Sequence, residues 1–339
     1  MISIGVYIHT RSEYPLRWAS TEGHVEVVIY LVENGADLNV LKLFYVDKYL
    51  QVVKYLIENG SNIHVDDEFT LIYASKGGYL ELVNLLIKNG ADIHVNDDAP
   101  LKWASKNGHL EVVKYLVENG ADIHAYNELV VYASEGGHLQ IVKYLVKKGA
   151  DIHAEDDEAL KWASRSGHLE VVKYLVEKGA NFRAENDYAL RWACEKGHLE
   201  IVKYLVKNGA DIHTKYEYAL RWASRSGHLE VVKYLVENGA DIHACNDYGL
   251  RKASRNGHLN VVKYLMENGA NIHAKDDYAL RLASVNGYFK LVKFLVENGA
   301  NIRAKNNEAL IRPLGKGHIK IVTYLEQYKI NSNNKFIGH

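Results

Sequence analysis

The sequence predicts an all-α-dominated repeat solenoid of about eleven stacked helix–turn–helix units, each about 30 residues long and joined by short hairpin loops. One observation behind this prediction is the segment HLEVVKYLVENGADIHA, which starts at His109 and returns nearly unchanged at His168 and His228. A second is the glycine before that histidine, which recurs at steps of 30 residues from Gly137 to Gly317. A third is a pair of apolar runs in each unit, which can bury their apolar faces only by stacking on like units.

Each unit is predicted to contain two helices, as the unit around Trp222 illustrates. The first is the run YALRWASRS, with Glu217 at the N-cap position and Gly227 at the end, which are suitable residues for a helix start and stop. The second is HLEVVKYLVEN, in which Glu230 and Lys233 are spaced as an exposed ion pair would be. Its apolar residues form one stripe, as packing on a core requires: Leu229, Val231, Val232, Leu235 and Val236.

The repeats are predicted to fill residues 14–328, between an N-terminal extension at residues 1–13 and a polar tail at residues 329–339. The unit at about residues 36–60 is degenerate and only 25 residues long. Its second helix is intact, whereas its first helix is predicted to be at most a stub. Because a stub buries less apolar surface against its neighbours, we expect this unit to be the weak joint of the array.

The last unit, at about residues 307–328, is predicted to be a distorted C-terminal cap. It carries Pro313 where the first helix of other units has alanine. Proline inside a helix removes a backbone hydrogen bond and clashes with the preceding turn. The final segment NSNNKFIGH is expected to be disordered.

Composition favours a globular chain and disfavours several classes of partner. Lys plus Arg is 41 and Asp plus Glu is 42, giving a formal net charge of −1, which argues against a general attraction to nucleic acid or an anionic membrane. No apolar run is long enough to span a bilayer. The segment MISIGVYIHT is a poor signal peptide, and the two cysteines form no disulfide framework. We therefore expect an intracellular protein, in the cytoplasm or nucleus, without membrane association.

Seventeen histidines suggest metal binding, but fifteen of them fall into two columns of the repeat. One column follows the inter-helix glycine, as at His228, and the other follows D-I or N-I, as at His213. Closely grouped ligands of the kind zinc requires are missing from this spacing. The histidines are therefore predicted to be structural and to bond to neighbouring loop backbone. We predict no metal site, no cofactor and no catalytic residue, because no nucleophile elbow, phosphate loop or dinucleotide fingerprint occurs.

The tryptophan column of the first helix has two interpretations. All five tryptophans lie five residues before the inter-helix glycine: Trp18, Trp103, Trp162, Trp192 and Trp222. Either they fill core positions between stacked units, or they form a partly exposed ribbon together with tyrosines and cations on the same helical face. The ribbon interpretation predicts a partner-binding surface in the middle units, since Trp, Tyr and Arg are enriched in binding hot spots. Its candidate residues are Arg165, Tyr188, Trp192, Tyr218, Trp222, Arg225 and Arg255.

Two further columns of the first helix are cationic. One follows an acid by four residues, as Arg221 follows Glu217, which predicts intrahelical pairs worth about 0.2–0.5 kcal/mol each. The later column has no acid in that position and is predicted to contact an acidic partner. It consists of Lys106, Arg165, Arg225 and Arg255.

The pattern L-x-x-A-S-x-x-G-H-L-E-V-V-K-Y-L-V-E-N-G-A-D-I-H resembles the ankyrin repeat over nearly the whole chain. Pro15 and Pro100 occupy the proline position of that family, in the first turn of the first helix. The segment before the first helix is about three residues shorter than in the family, so we expect blunt loops. The 30-residue form is similar to the large ankyrin arrays encoded by giant amoeba-infecting viruses.

The resemblance implies a non-enzymatic scaffold that binds a protein partner along the inner groove of the repeats. One alternative is a structural role, as a component of a virion or another assembly. A lower alternative is a nucleic-acid binder that uses the aromatic and basic ribbon, which the net charge of −1 disfavours. We expect a monomer.

Overall fold

The computed structural model describes residues 14–37, 50–60, 67–125 and 128–337. All regular secondary structure in these ranges is α-helical, which confirms the predicted fold class. The chain divides into two compact units, residues 1–159 and 160–339. None of the helices in the described ranges combines the length and the apolar character that crossing a bilayer needs.

In the first compact unit, the described helices are the first and second helices of successive repeats, with two second helices, Val25–Glu33 and Leu50–Glu58, in succession. They are α1 Tyr14–Glu22, α2 Val25–Glu33, α3 Leu50–Glu58, α4 Asp67–Gly77, α5 Leu80–Lys88, α6 Val95–Asn107, α7 Leu110–Glu118, α8 Leu129–Glu135 and α9 Leu139–Lys147. The next helix, α10 Ala154–Ser166, contains the boundary between the compact units. The predicted stub of the short unit lies outside the described residues, as does the extension at residues 1–13. The second helix of the short unit is present as α3.

In the second compact unit, first and second helices of the repeats alternate along the chain. Its helices after α10 are α11 Leu169–Glu177, α12 Ala184–Lys196, α13 Leu199–Lys207, α14 Thr214–Ser226, α15 Leu229–Glu237, α16 Ala244–Asn256, α17 Leu259–Glu267, α18 Ala274–Val285, α19 Phe289–Glu297, α20 Ala304–Gly315 and α21 Ile319–Ile337. First helices contact the first helices of adjacent repeats, and second helices contact second helices. The result within this unit is two layers of helices around one core.

The core is built from the apolar stripes that the repeat pattern places on both helices. Leu220 and Ala223 of α14 are buried, as are Val232 and Leu235 of α15. Full burial of a leucine or valine side chain contributes about 1.5–3 kcal/mol. The exposed pair predicted on the opposite side is also present, with Lys233 Nζ donating to Glu230 Oε1 at 2.8 Å.

The turn between the two helices of a repeat depends on a left-handed glycine. Gly197 has φ 82° and ψ 21°, a conformation that side chains with a Cβ disfavour. The N–H of His198 donates to the carbonyl of Ala193 at 2.9 Å. This bond satisfies a carbonyl that the end of α12 would otherwise leave unpaired, so the glycine lets α13 start at once.

The connection into the first helix differs from the predicted hairpin. Seven first helices open with three consecutive residues in left-handed conformation, and no strand occurs in the described residues. In α14 these are Lys215, Tyr216 and Glu217, after which the regular helix starts at Tyr218. The short hairpin loops of the prediction are therefore corrected to left-handed turns. The physical reason is composition, because most of the second and third positions of these turns are Asn or Asp, which adopt the left-handed conformation readily.

The C-terminal end also differs in part from the prediction. Pro313 is buried and α20 remains helical as far as Gly315. Helix α21 continues to Ile337, so the expectation of a disordered tail is wrong for residues 331–337. Extending an existing helix adds one hydrogen bond per residue without a new nucleation cost, which allows the polar segment to remain helical.

Candidate functional site

The predicted partner-binding residues lie on four first helices of the second compact unit. Arg165 is on α10, Tyr188 and Trp192 are on α12, and the remaining candidates are on α14 and α16. Six of the seven are joined by ring–ring and cation–π contacts, with Arg191 as the connecting residue. Arg255 is exposed and lies on α16, beyond the last of these contacts. We call the joined residues the aromatic ribbon: Arg165, Tyr188, Arg191, Trp192, Tyr218, Trp222 and Arg225.

One end of the aromatic ribbon is a guanidinium group between two indoles. The central carbon of the Arg165 guanidinium lies 4.6 Å from the ring centre of Trp162 and 4.2 Å from that of Trp192. Tyr188 meets Trp192 edge-on, with ring centres 5.7 Å apart. Cation–π contacts of this kind contribute about 0.5–2 kcal/mol, depending on how far they are desolvated. These contacts stabilise the side-chain conformations of Arg165, Tyr188 and Trp192.

The other end of the aromatic ribbon is a stack on α14. The rings of Tyr218 and Trp222 lie 5.2 Å apart at an interplanar angle of 28°. The guanidinium of Arg225 lies over the same indole, 4.1 Å from its ring centre. Arg191 connects this stack to α12, since its guanidinium is 4.7 Å from the ring centres of both Tyr188 and Tyr218.

The tryptophan column lies between the core and the surface. Trp103, Trp162, Trp192 and Trp222 are all half-buried, and Trp18 is 49% exposed. The neighbouring Leu220 and Ala223 of α14 fill the core instead. The four half-buried tryptophans are therefore less buried than Leu220 and less exposed than Trp18, and the choice between the two interpretations stays a prediction. The reason for their intermediate burial is geometric, because the leucine and alanine positions already complete the inward stripe and leave the tryptophan position at its edge.

The first cationic column was predicted to pair with the acids four residues before it. This prediction is wrong at Arg191, Arg221, Arg251 and Arg281. Arg191 Nη2 instead donates to the carbonyl of Glu185 at 2.8 Å, and Arg251 donates to the carbonyls of Cys245 and Asn246. These carbonyls belong to the left-handed turns. Because such a turn takes its carbonyls out of the helical ladder, it needs outside donors, and the guanidinium fork supplies them.

The described acids that stand four residues before these cations are buried, and their carboxylates bind groups other than the cations. Asp247 Oδ1 accepts the N–H of Asn271 at 2.8 Å, 24 residues further along the chain, and lies 3.1 Å from Nδ1 of His243. Asp187 accepts the N–H of Asp211 in the same way, at 3.0 Å. Burial raises the pKa of Asp187 despite this bond. The column therefore ties one repeat to the next.

The histidine column after the inter-helix glycine has the predicted role. The Nε2–H of His228 donates to the backbone carbonyl of Glu195 at 2.9 Å, and the Nε2–H of His258 donates to the backbone carbonyl of Arg225 at the same distance. Burial lowers the pKa of His228. The other histidine column bonds to a side chain rather than to backbone, as in the contact of His213 Nδ1 with Glu217 Oε1 at 2.5 Å. That contact raises the pKa of His213.

The late cations differ in their surroundings. Lys106 has no acid four residues before it, as predicted, but it forms an ion pair at 3.5 Å with Glu135 of the next repeat. Arg165 is held by Trp162 and Trp192, as described above. Arg225 and Arg255 are exposed.

Concave features near the aromatic ribbon are small. A notch of about 170 Å³, open space included, is lined by Tyr188, Arg191, Trp192, Glu195 and Tyr218. Burial, followed by the charge of Glu195, raises the pKa of Tyr218 in its wall. Small-molecule sites enclose about 300–1,000 Å³. The ribbon is therefore a surface with a side-chain-sized notch and not a ligand pocket.

A larger open groove of about 570 Å³ lies between α3 and α5 in the first compact unit. Five of its six lining residues are polar or charged, and Leu85 is the apolar one: Gln51, Lys54, Glu81, Asn84, Leu85 and Lys88. Ligand sites are mostly lined by apolar side chains, so this groove is a poor candidate.

Groups of three or more His, Cys, Asp or Glu side chains placed to hold a metal ion do not occur in the described residues. Both cysteines are free, Cys194 in the core and Cys245 at the surface. Burial raises the pKa of the Cys194 thiol strongly. A buried thiol of this kind is unreactive, because the thiolate is the nucleophilic form.

Sequence reasoning missed the left-handed turns, although their sequences carry a signal. The second and third turn positions are Asn or Asp in almost every repeat, as at Asn186 and Asp187. These two residue types adopt the left-handed conformation more readily than other residues with a side chain. The exceptions are Tyr216 and Glu217, both in the turn that opens α14.

Comparison with family models agrees with the repeat period. A model described as ankyrin repeats (3 copies) matches residues 44–127, 125–186, 183–246 and 250–335. A model described as ankyrin repeat matches residues 13–42. The matches cover most of the chain, including the described part of the short unit and all residues of the aromatic ribbon.

Proposed function

The chain belongs to the ankyrin repeat family, and we propose that it is a non-enzymatic scaffold that binds a protein partner on the aromatic ribbon of its second compact unit. Ankyrin repeats are in general protein–protein interaction modules. The proposal places the partner on the first-helix face, at Arg165, Tyr188, Trp192, Tyr218, Trp222, Arg225 and the neighbouring Arg255.

The observation that carries this proposal is a continuous contact network in which the buried Arg191 connects partly exposed aromatic side chains. Arg165, Trp192 and Tyr188 are linked through Arg191 to the stack of Tyr218 and Trp222. Trp, Tyr and Arg are the residue types that carry most binding energy in protein interfaces. Side chains that are already held in place lose little conformational entropy on binding, which favours affinity.

The test compares partner capture by three forms of the full chain. The first is the wild type, the second carries Trp222→Ala with Arg225→Ala, and the third carries Lys233→Ala as a control on the second-helix layer. Each is immobilised and exposed to lysate of the cells in which the protein occurs, and the retained proteins are quantified by mass spectrometry. Melting curves of all three are recorded beside the capture.

We expect at least one protein to be retained by the wild type and the control and reduced more than tenfold by the double variant. The double variant should melt within a few degrees of the wild type. Equal retention by all three forms would show that the aromatic ribbon is not the binding surface.

A further inference from the structure

The left-handed turn that opens α14 differs from the corresponding turns of the other repeats. Its second position is Tyr216, whereas the other six described turns have Asn or Asp there: Asp97, Asp156, Asn186, Asn246, Asp276 and Asn306. Tyr216 has φ 58° and ψ 56°, and a bulky side chain is strained in this region. Its third position is Glu217, where five of the other turns have Asp and one has Asn.

Packing does not explain Tyr216, because its side chain is 79% exposed. A large aromatic residue in a strained conformation, with little of its surface buried, lowers the stability of the isolated chain. Strained residues of this kind cluster at sites where a ligand is bound. Exposed tyrosine is also a preferred anchor in protein interfaces. Tyr216 is thus a functional residue candidate outside the aromatic ribbon.

The surface charges of α14 and α16 are all positive, although three exposed acids of neighbouring segments, Glu185, Asp211 and Asp241, interact with Lys215 or His213. Helices α14 and α16 carry six cations, namely Lys215, Arg221, Arg225, Arg251, Lys252 and Arg255. We call these six the cationic patch. The acids of the same two helices, Glu217 and Asp247, are only 5% and 4% exposed. They lie against His213 and His243 rather than at the surface.

Tyr216 and the cationic patch are connected through backbone contacts. Arg221 Nη1 donates to the carbonyls of Lys215 and Tyr216, both at 3.3 Å. The Arg221 guanidinium also lies 4.3 Å from the ring centre of Tyr248 on α16. Arg221 therefore connects the turn at Tyr216 to Tyr248 on α16, and the surface charges of these two helices are cationic although the whole chain has a net charge of −1.

We propose that Tyr216 and the cationic patch form a docking surface for an extended acidic segment of the protein partner, with Tyr216 as its anchor. This proposal rests on the proposed function and adds the chemistry of the partner. Packed helices lie about 8–10 Å apart, and an extended chain advances about 3.3 Å per residue. Acidic residues three positions apart would therefore reach cations of successive repeats, such as Arg225 and Arg255.

A protein segment fits this surface better than a nucleic acid strand. Single-stranded nucleic acid binds by stacking its bases on open aromatic faces. Trp222 is already contacted by Tyr218 and Arg225, and Tyr248 by Arg221 and Lys252. Phosphates of a single strand also carry charge at every nucleotide, whereas the exposed cations Arg225 and Arg255 recur once per unit.

The first experiment selects peptides from a random 12-residue display library on the immobilised full chain in about 0.15 M salt. We expect enrichment of acidic sequences with carboxylates three positions apart. The best peptide is then labelled, and its dissociation constant is measured by fluorescence anisotropy on the wild type and on the variants below. A labelled oligo-dT strand of 20 nucleotides is measured in parallel.

Tyr216→Asn is the central variant. We expect it to weaken peptide binding at least tenfold while the melting temperature stays constant or rises, because Asn suits the left-handed turn. A residue with a structural role only would move the melting temperature and leave affinity unchanged. Arg225→Ala with Arg255→Ala should also weaken binding at least tenfold and reduce its dependence on salt. The matched control is Lys203→Ala with Lys233→Ala, which removes two exposed cations from the second-helix layer and should leave affinity within twofold.

Several results would overturn the docking proposal. Enrichment of non-acidic peptides, or no enrichment, would exclude an acidic segment as the ligand. Acidic peptides whose affinity is unchanged in both the Tyr216 variant and the arginine variant would exclude this surface as their binding site. Tighter binding of the oligo-dT strand, lost in the same arginine variants, would identify nucleic acid as the ligand. Non-acidic peptides that are lost on Trp222→Ala would contradict this proposal and support the proposed function, so the two can fail separately.

Discussion

The Nε2–H of His228 donates to the backbone carbonyl of Glu195, and its ring packs directly on Gly197. A Cβ added to Gly197 would lie 2.4 Å from Nδ1 of His228. The glycine thus has two functions, the left-handed turn and the space for the histidine of the next repeat. The histidine column therefore requires glycine at the inter-helix position of the preceding repeat.

Gly197→Ala should destabilise the chain more than Gly239→Ala does. Both glycines are left-handed, with φ 82° and φ 96°, but only Gly197 has a side chain against the position of the new Cβ. We expect about 1 kcal/mol for the conformational strain at Gly239 and an additional 1–3 kcal/mol or so for overpacking at Gly197. Urea denaturation measures both. In a chain that carries His228→Ala, the two glycine substitutions should lower the free energy of unfolding by nearly the same amount. If the difference between them stays unchanged in that chain, contact with His228 is excluded as its cause.

His213 and His228 should titrate on opposite sides of the ordinary histidine pKa, about 6.5. The bond to Glu217 raises the pKa of His213, so the stability it contributes is complete below pH 6.5 or so and is lost as the pH rises through the raised value. Burial lowers the pKa of His228, so its contribution is complete above that pH and is lost as the pH falls through the lowered value. Two-dimensional NMR titration of the imidazole signals measures both. Two curves with the same midpoint would contradict the assigned environments.

Glu217→Asp should stabilise the second compact unit by about 0.5–1.5 kcal/mol. In the repeats with Asp187 and Asp247, the carboxylate accepts an N–H from the next repeat. Glu217 has no such bond, and its Oε2 is buried without a hydrogen-bond partner among the described residues. The shorter side chain should place a carboxylate oxygen within reach of Asp241 N–H. The reverse variant Asp247→Glu is the control and should lose a similar amount, whereas a loss in both variants would refute this account.

Trp222→Ala should cost less stability than Leu220→Ala. Leu220 is 2% exposed, and its truncation leaves a core cavity that costs about 2–5 kcal/mol. Trp222 is half-buried at the edge of the core, so we expect about 1–2 kcal/mol, within the ordinary range for such sites. Thermal and urea denaturation of the two variants measures both losses in the free energy of unfolding. A larger loss for Trp222→Ala would show that the indole belongs to the core after all.

Local periodicity was sufficient for the helices, their ends and the backbone-bonding histidine column. Residues such as Gly197 and Val232 have the same role in nearly every repeat, so one unit predicts the others. Periodicity failed where the partner of a side chain belongs to the next repeat. Asp247 was predicted to pair with Arg251 on its own helix, yet its partners are His243 and the N–H of Asn271.

The sequence by itself determined the repeat, the pair of helices in each unit and the apolar stripes, because these depend on spacing within about 30 residues. Only the tertiary structure decided how far the tryptophans are covered, and that Trp222 lies half-buried beside the core position of Leu220. It also decided the left-handed turns, in which Tyr216 is strained and exposed. The physical reason is that helical spacing places a side chain on a face, whereas its burial and its partners depend on how the next repeat packs against that face.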